Sequence, residues 1–167
     1  MAKLGDTTVN GSLDVKGIVT NPTQPAFCAA LTSNVYITAL TTFFTLAPWT
    51  ERFDLGGDFN ATTGIFTAPV TGKYQFNANV DLRNVLIAST YYWIRIRTSN
   101  GEYGNLMAPR YTANLTYRGC YVSALTDLVA GQQAWVAIYQ YSSTTSATYA
   151  AGTGNTYYTS FSGFLAC

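Results

Sequence analysis

The chain has 167 residues, of which 48% are hydrophobic, 15% aromatic and only 10% charged, and its formal net charge is +1. This length fits one domain, and so much apolar surface is not typical of a disordered chain. The small net charge argues against a nucleic-acid partner, and the absence of histidine removes the commonest general base and neutral metal ligand.

Residues 1–25 differ from the remainder of the chain. Asn10-Gly11 and Lys16-Gly17 are typical of tight turns between very short strands. The segment is too poor in apolar residues to form a core of its own. It is therefore predicted to be an arm that anchors the protein and helps it to trimerise, followed by a head domain over residues 26–167. The anchoring residues would be the apolar positions of the arm, Val9, Leu13, Val15 and Ile18.

The first residues, MAKLGDTTVNGSLDVKG, lack the apolar core of a signal peptide. No run approaches the ~20 apolar residues that a membrane-spanning helix needs. We therefore expect synthesis in a cytoplasm and no insertion into a membrane. On that expectation, the glycosylation sequons at Asn10, Asn60 and Asn114 are chance occurrences in a chain rich in Asn and Thr.

From Phe27 onward the pattern is that of strands. Over residues 72–83 apolar and polar side chains alternate, which predicts a strand with one buried and one wet face. The buried face would hold Tyr74, Phe76, Ala78, Val80 and Leu82. Residues 91–98 repeat the pattern, with Tyr92, Ile94 and Ile96 opposite Arg95 and Arg97.

Two later segments, residues 133–140 and 157–167, are largely apolar on both faces. Such strands need cover on both sides, which a second sheet and a neighbouring subunit would supply. About eight to ten short strands separated by Gly, Pro and Asn turns predict an all-β sandwich or jelly roll.

The stretch NATTGIFTAPVTGKYQFNANV, residues 60–80, invites three interpretations: a phosphate loop, a glycosylation site, or two strands and their turn. A phosphate loop needs Ser or Thr after its Gly-Lys and then a helix. Tyr74 holds that position and a strand pattern follows. The pair of strands is the interpretation that remains.

Four segments, in order, resemble the C1q-domain family. They are PAFCAAL at residue 25, the stretch ERFDLGGDFNATTGIFTAPVTGKYQF at residue 51, LVAGQQAWVAI at residue 128 and TSFSGFLAC at residue 159. The second resembles the family's T-G-x-F-T-x-P-x-x-G-x-Y-x-F pattern. In the third, Gln132 stands where the family usually has Asp.

The resemblance implies a ten-stranded jelly roll of the C1q and tumour-necrosis-factor type, assembled as a homotrimer, with the first and last strands as neighbours. By strand position it implies that Tyr121 and Phe161 meet at the threefold axis, where Gly119 and Gly163 allow close approach. Cys28 and Cys167 could come near each other, but we expect free thiols in a reducing cytoplasm.

Some members of the family bind calcium near the apex. The carboxylates that might do so here are dispersed and match no calcium loop, so we expect no cofactor and regard axial calcium as unsupported. They are Asp54, Asp58, Asp81 and Asp127. Asp54 and Asp58 look like turn formers beside Gly56-Gly57. With so few convergent reactive groups, we expect that the protein is not an enzyme.

Within the arm, TTVNGSLDVKG resembles the T-V-x-G-x-L-x-V-x-G pattern of stems in bacteriophage tail fibres and other virion appendages. This resemblance implies a virion surface protein. One hypothesis is a trimeric capsid decoration or short head fibre, held to a capsid protein by the arm. The alternative is the tip of a tail fibre that binds a host cell-surface glycan or protein. A 25-residue arm reaches at most roughly 80 Å, which is short for a fibre shaft and favours decoration.

Receptor binding by the head would use loops rich in Tyr, Ser, Thr and Asn, which combine rigid aromatic area with adaptable hydrogen bonds. Residues 100–116 and 141–157 fit this description, although both could equally be plain connections. The candidate receptor residues are Tyr103, Arg110, Tyr111, Tyr141 and Tyr149.

Overall fold

Two antiparallel sheets make up the part of the chain that the computed structural model describes, residues 23–38, 41–86, 89–108, 113–142, 148–154 and 156–167. The four anchoring residues predicted in the arm lie outside these ranges. Within them no helix is long and apolar enough to cross a membrane.

Thirteen strands form within the described residues, three more than the predicted ten, and three of them have only two residues. They are β1 (Ala26–Ala30), β2 (Val35–Tyr36), β3 (Phe43–Thr45), β4 (Thr50–Leu55), β5 (Phe59–Asn60), β6 (Ile65–Thr67), β7 (Gly72–Val85), β8 (Ser89–Thr98), β9 (Gly101–Met107), β10 (Leu115–Leu128), β11 (Gln133–Ser142), β12 (Tyr149–Ala150) and β13 (Ser160–Leu165).

Sheet A contains seven strands and is organised around β7. Strand β10 borders one edge of β7, while β13 and β12 pair end to end along the other. Beyond β13 lie β1 and then β4. The first strand therefore pairs with the last, as the resemblance predicts.

Sheet B contains six strands in the order β5-β6-β11-β8-β9, and β3 also pairs with β11. All pairings in both sheets are antiparallel. Neighbours in the sheets are often distant in sequence, which is the crossing connectivity of a jelly roll.

The core lies between the sheets and confirms the predicted alternation. The five apolar residues of β7 are all buried, and so are Tyr92, Ile94 and Ile96 of β8. Five phenylalanines from both sheets form its centre, with ring centroids of neighbouring pairs 4.5 to 6.4 Å apart: Phe27, Phe59, Phe66, Phe76 and Phe161. Paired rings in such offset or edge-on arrangements add to the stabilisation from burial.

The stretch that resembled a phosphate loop is a turn followed by β6 and β7. The Asn60 side-chain oxygen accepts hydrogen bonds from the backbone N–H groups of Thr62 and Thr63, at 3.0 and 3.1 Å. Gly64 follows with a φ of +73°, and a β-carbon there would come within 2.5 Å of the Leu46 carbonyl oxygen. Both the backbone conformation and the lack of space for a side chain therefore favour glycine at position 64.

Candidate assembly face

The outer face of sheet A, the side turned away from sheet B, can be followed row by row from the strand register. One row runs Leu125, Gln75, Phe164, Ala26 and Leu55, across β10, β7, β13, β1 and β4. The next row runs Ser123, Asn77, Ser162, Cys28 and Phe53. Side chains in these rows share one face because strand side chains alternate with a period of two.

Apolar side chains lie at both margins of this face. On β10, Tyr121 is 72% exposed and Leu125 is 58% exposed. On β4, Phe53 and Leu55 are 50% and 44% exposed. Four strand spacings separate the two margins, about 19 Å. Large apolar side chains so exposed at two separate places are typical of a surface that contacts another protein.

A polar strip lies between the margins, interrupted by Phe164 of β13, which is 43% exposed. The Gln75 side-chain amide donates to Ser123 Oγ at 2.8 Å, and that hydroxyl donates to Asn77 Oδ1 at 3.0 Å. Asn79 donates through Nδ2 to the Tyr158 carbonyl oxygen at 2.9 Å. Its buried Oδ1 accepts no hydrogen bond from the described residues. The strip is thus held by its own hydrogen bonds, with one buried acceptor left over.

Two ion pairs lie towards the ends of the face, Lys73 with Asp127 at 2.6 Å and Arg83 with Asp81 at 2.7 Å. The hydrogen bond and the charge of Asp127 raise the pKa of Lys73, although both groups are well exposed. Each pair is neutral as a whole, so neither adds a net charge that contact with another chain would have to bury.

The four predicted axial residues divide into two pairs. Tyr121 and Gly119 are exposed on the outer face of sheet A, where another copy of the chain can contact them. Phe161 has no exposed surface in the single chain and lies in the core, which counts against the predicted role at an axis. Gly163 also faces the core, because a β-carbon there would come within 2.4 Å of the Phe76 ring. The alternation of β13 places Ser160, Ser162 and Phe164 outward instead.

Three of the five candidate receptor residues lie on strands rather than in the predicted loops. Tyr103 is on β9 and packs against the core. Tyr141 is in β11, with its ring 5.1 Å from that of Tyr91, and Tyr149 is in β12, 5.2 Å from Tyr36. The strands thus extend into the segments predicted as loops, and the receptor role of these three residues stays a prediction. Arg110 and Tyr111 lie outside the described residues.

The dispersed carboxylates have structural surroundings of their own. Asp54 Oδ2 accepts the backbone N–H of Phe59 at 2.9 Å, which closes the turn through Gly56 and Gly57. Burial, and then the neighbouring Asp54, raise the pKa of Asp58. Asp81 and Asp127 belong to the ion pairs above. Across the described ranges, no three potential metal-ligating side chains of His, Cys, Asp or Glu type cluster together.

Cys28 and Cys167 do not meet within the chain. Cys28 pairs in register with Ser162, whereas the Cys167 carbonyl oxygen accepts the backbone N–H of Lys73 at 2.7 Å, past the end of β13. Both thiols are free, as is that of Cys120.

The sequence reasoning missed the margin residues Phe53, Leu55 and Leu125. For Leu125 a signal was present, since residues 117–125 carry large apolar side chains in both strand phases. For Phe53 and Leu55, the short pattern next to a turn gave no indication of exposure.

Solved structures with the same fold are similar to this chain at low sequence identity. The globular domain of zebrafish complement 1qA has 19% identity and a TM-score of 0.55, with 86% of this chain and 98% of that chain covered. Murine APRIL has 13% identity and a TM-score of 0.54, covering 85% and 98%. The tumour necrosis factor Eiger from S. frugiperda has 10% identity and a TM-score of 0.59, covering 86% and 93%.

No curated protein matches the chain in sequence. The family model described as the C1q domain, by contrast, matches residues 26–166, nearly the whole of the predicted head. This protein belongs to the C1q domain family.

Proposed function

We propose that this chain is a non-enzymatic, homotrimeric surface protein of a bacteriophage virion, which decorates the capsid or forms a short head fibre through residues 1–25. The observation that carries the assembly part is the outer face of sheet A, with its two exposed apolar margins. The absence of histidine and the separate surroundings of the carboxylates support a non-enzymatic role.

The two margins differ in composition, and this favours a ring over a twofold dimer. A twofold contact would place one patch against its own copy. In a closed ring, the β10 margin with Tyr121 and Leu125 meets the β4 margin with Phe53 and Leu55 of the next copy. Each copy then buries both margins. The middle of the face, with the polar strip and Phe164, faces the symmetry axis.

The virion part of the proposal is supported by the sequence of the arm. The pattern TTVNGSLDVKG is similar to stems of phage appendages, in which three chains wind together. Apolar arm residues such as Val9 and Leu13 would be buried against the other chains or against a capsid protein. The alternative is a tail-fibre tip that binds a host glycan or surface protein.

The assembly is tested by replacing one residue on each margin. Wild-type protein should have a solution mass three times the 18.1 kDa of one chain, measured by light scattering after size-exclusion chromatography. Tyr121→Asp and Phe53→Asp should each give monomers, because a carboxylate would be buried in a dry contact. The control is Leu106→Asp, a 49% exposed leucine on β9 of sheet B, which should still form trimers. A trimeric Tyr121→Asp or a monomeric wild type would contradict the proposed contact.

Immunogold labelling of intact virions tests the location. Label over the head surface supports decoration and rules out the tail tip. Label restricted to fibre ends establishes the alternative, in which the head is the receptor-binding part. Virions that carry no label at all would refute the virion role and leave the assembly prediction to stand on its own measurement.

A further inference from the structure

The outer face of sheet B carries a group of six aromatic side chains on three adjacent strands. The Tyr91 ring is stacked on the Tyr141 ring at 5.1 Å and on the Tyr139 ring at 5.8 Å, and Trp93 lies 6.1 Å from Tyr139. The group, called the aromatic platform below, consists of Phe43, Tyr91, Trp93, Trp135, Tyr139 and Tyr141. Rings that pack on one another in this way are held in place before any ligand arrives.

Two arginines lie against the platform. The guanidinium carbon of Arg95 is 3.9 Å from the Trp93 ring centroid and 5.0 Å from that of Phe43. The guanidinium carbon of Arg97 is 4.7 Å from the Phe43 centroid. Gly104 lies opposite Arg95 on β9, where a β-carbon would come within 2.5 Å of Arg95 Cγ. The glycine leaves room for the Arg95 side chain beside the neighbouring strand.

Arg95 and Arg97 share one carboxylate, that of Glu102. Arg97 Nε donates to Glu102 Oε1 at 2.6 Å, and Arg95 Nη1 donates to Glu102 Oε2. These three are the charged residues of the sheet B strands, so the face has a net charge of +1. A guanidinium has five N–H donors, and most of those on this pair are not used by Glu102.

The arginines are partly accessible, with 19% of the Arg95 side chain and 32% of the Arg97 side chain exposed. Partial burial makes a charge-assisted hydrogen bond stronger than it would be in open water. Burial, and then the charge of Arg97, lower the pKa of Arg95.

The size of the platform favours a small ligand over a protein. From β3 to β9 is three strand spacings, about 14 Å, and from Trp135 to Tyr141 is six residues, about 20 Å. This area is well below the ≈ 800 Å² per partner that a stable protein interface buries. It suits one to three sugar rings, whose C–H faces pack on aromatic rings while their hydroxyls bond to tyrosine.

We propose that the outer face of sheet B binds a saccharide that carries a carboxylate, with Arg95 and Arg97 holding the carboxylate and the aromatic platform packing against the sugar. The ligand class follows from the surplus positive charge together with the rings. The site is on the opposite sheet from the assembly face, so it does not depend on the trimer.

Binding can be followed by tryptophan fluorescence, because Trp93 and Trp135 lie on the platform while Trp49 is buried in the core. The probes are 3′-sialyllactose and trigalacturonate, with lactose and the methyl ester of trigalacturonate as uncharged counterparts. We expect saturable binding of at least one charged probe, about tenfold or more tighter than its counterpart. Binding should weaken in 0.5 M NaCl because salt screens the exposed part of the charge.

Three substitutions test the arginine pair in both directions. Arg95→Gln and Arg97→Gln should each weaken binding about tenfold or more, since each removes a charge-assisted bond. Glu102→Gln should strengthen binding, because it frees both guanidiniums. The matched control is Arg52→Gln on sheet A, where Arg52 lies 4.5 Å over the Tyr157 ring, and it should bind as the wild type does.

The comparison of charged and uncharged probes uses wild-type protein, so it does not depend on how well a variant folds. The proposal is overturned if neither charged probe binds saturably, or if the uncharged counterparts bind equally well. It is also overturned if inorganic phosphate binds as tightly as the saccharides, since the platform would then contribute nothing. Light scattering on the same samples reports the trimer separately.

Discussion

Gly163 on β13 lies directly opposite Phe76 on β7, and a β-carbon at Gly163 would come within 2.4 Å of the Phe76 ring and 2.8 Å of the Phe27 ring. The two phenylalanines occupy the space that a side chain would fill. This glycine therefore belongs to the aromatic core of the chain itself.

Gly163→Ala should lower the free energy of unfolding by about 1–3 kcal/mol, the usual cost of adding a methyl group to a filled core. The backbone at Gly163 is not in the left-handed region, so the clash alone would cause the loss. The measurement is urea unfolding followed by circular dichroism.

Gly119→Ala is the matched control for Gly163→Ala. Its β-carbon would meet only the Tyr121 side chain, at 3.8 Å, so stability should change little. Equal stability of the two variants would show that the core can relax around Gly163. A Gly119→Ala protein that folds but no longer trimerises would support the predicted close approach of chains at that residue.

Tyr92→Phe should lower the free energy of unfolding by about 1–3 kcal/mol, because it removes a hydroxyl from a buried hydrogen-bond network. That hydroxyl donates to Ser89 Oγ at 2.9 Å, accepts the Leu86 backbone N–H at 3.3 Å and lies 3.2 Å from Thr148 Oγ1. The same substitution at Tyr117, which is 68% exposed, should have little effect on stability. Thermal unfolding measures both variants. Similar losses at both positions would mean that the network contributes nothing specific.

Asp58→Asn should stabilise the protein at pH 7 and not at pH 3. Burial and Asp54 raise the pKa of Asp58 above its ordinary value of 3.8, so the folded state binds the proton more tightly than the unfolded state does. Stability from this group is therefore complete below that value and is lost as the pH rises through the folded pKa. Asparagine does not titrate. The variant's stability therefore exceeds that of the wild type only as the pH rises from 3.8 through the folded pKa of Asp58.

Denaturant unfolding at pH 3, 5 and 7 measures this effect. The variant's gain over the wild type should grow with pH across the series. The expected gain is small, because Asp58 is near the surface and solvent screens its charge. A gain that is the same at all three values would assign the effect to packing rather than to ionisation.

Much of the fold could be predicted from the chain alone. The alternation of residues 72–83 and 91–98 identified which side chains of β7 and β8 are buried, because a period of two assigns each residue to one face. The segments at residues 25, 51, 128 and 159 indicated the family. On β13, by contrast, Phe161 and Phe164 occupy opposite phases, and no local pattern tells which phase faces the other sheet.

The sequence by itself determined the all-β class and the family, because these depend on local alternation and on ordered motifs. Only the tertiary structure decided that Phe161 and Gly163 face the core, that Tyr103, Tyr141 and Tyr149 lie on strands, and that Arg95, Arg97 and Glu102 meet. Such relationships depend on which distant strands become neighbours and in what register. That choice is made by packing across the whole sandwich, where a shift of one residue would exchange the buried and exposed faces of a strand.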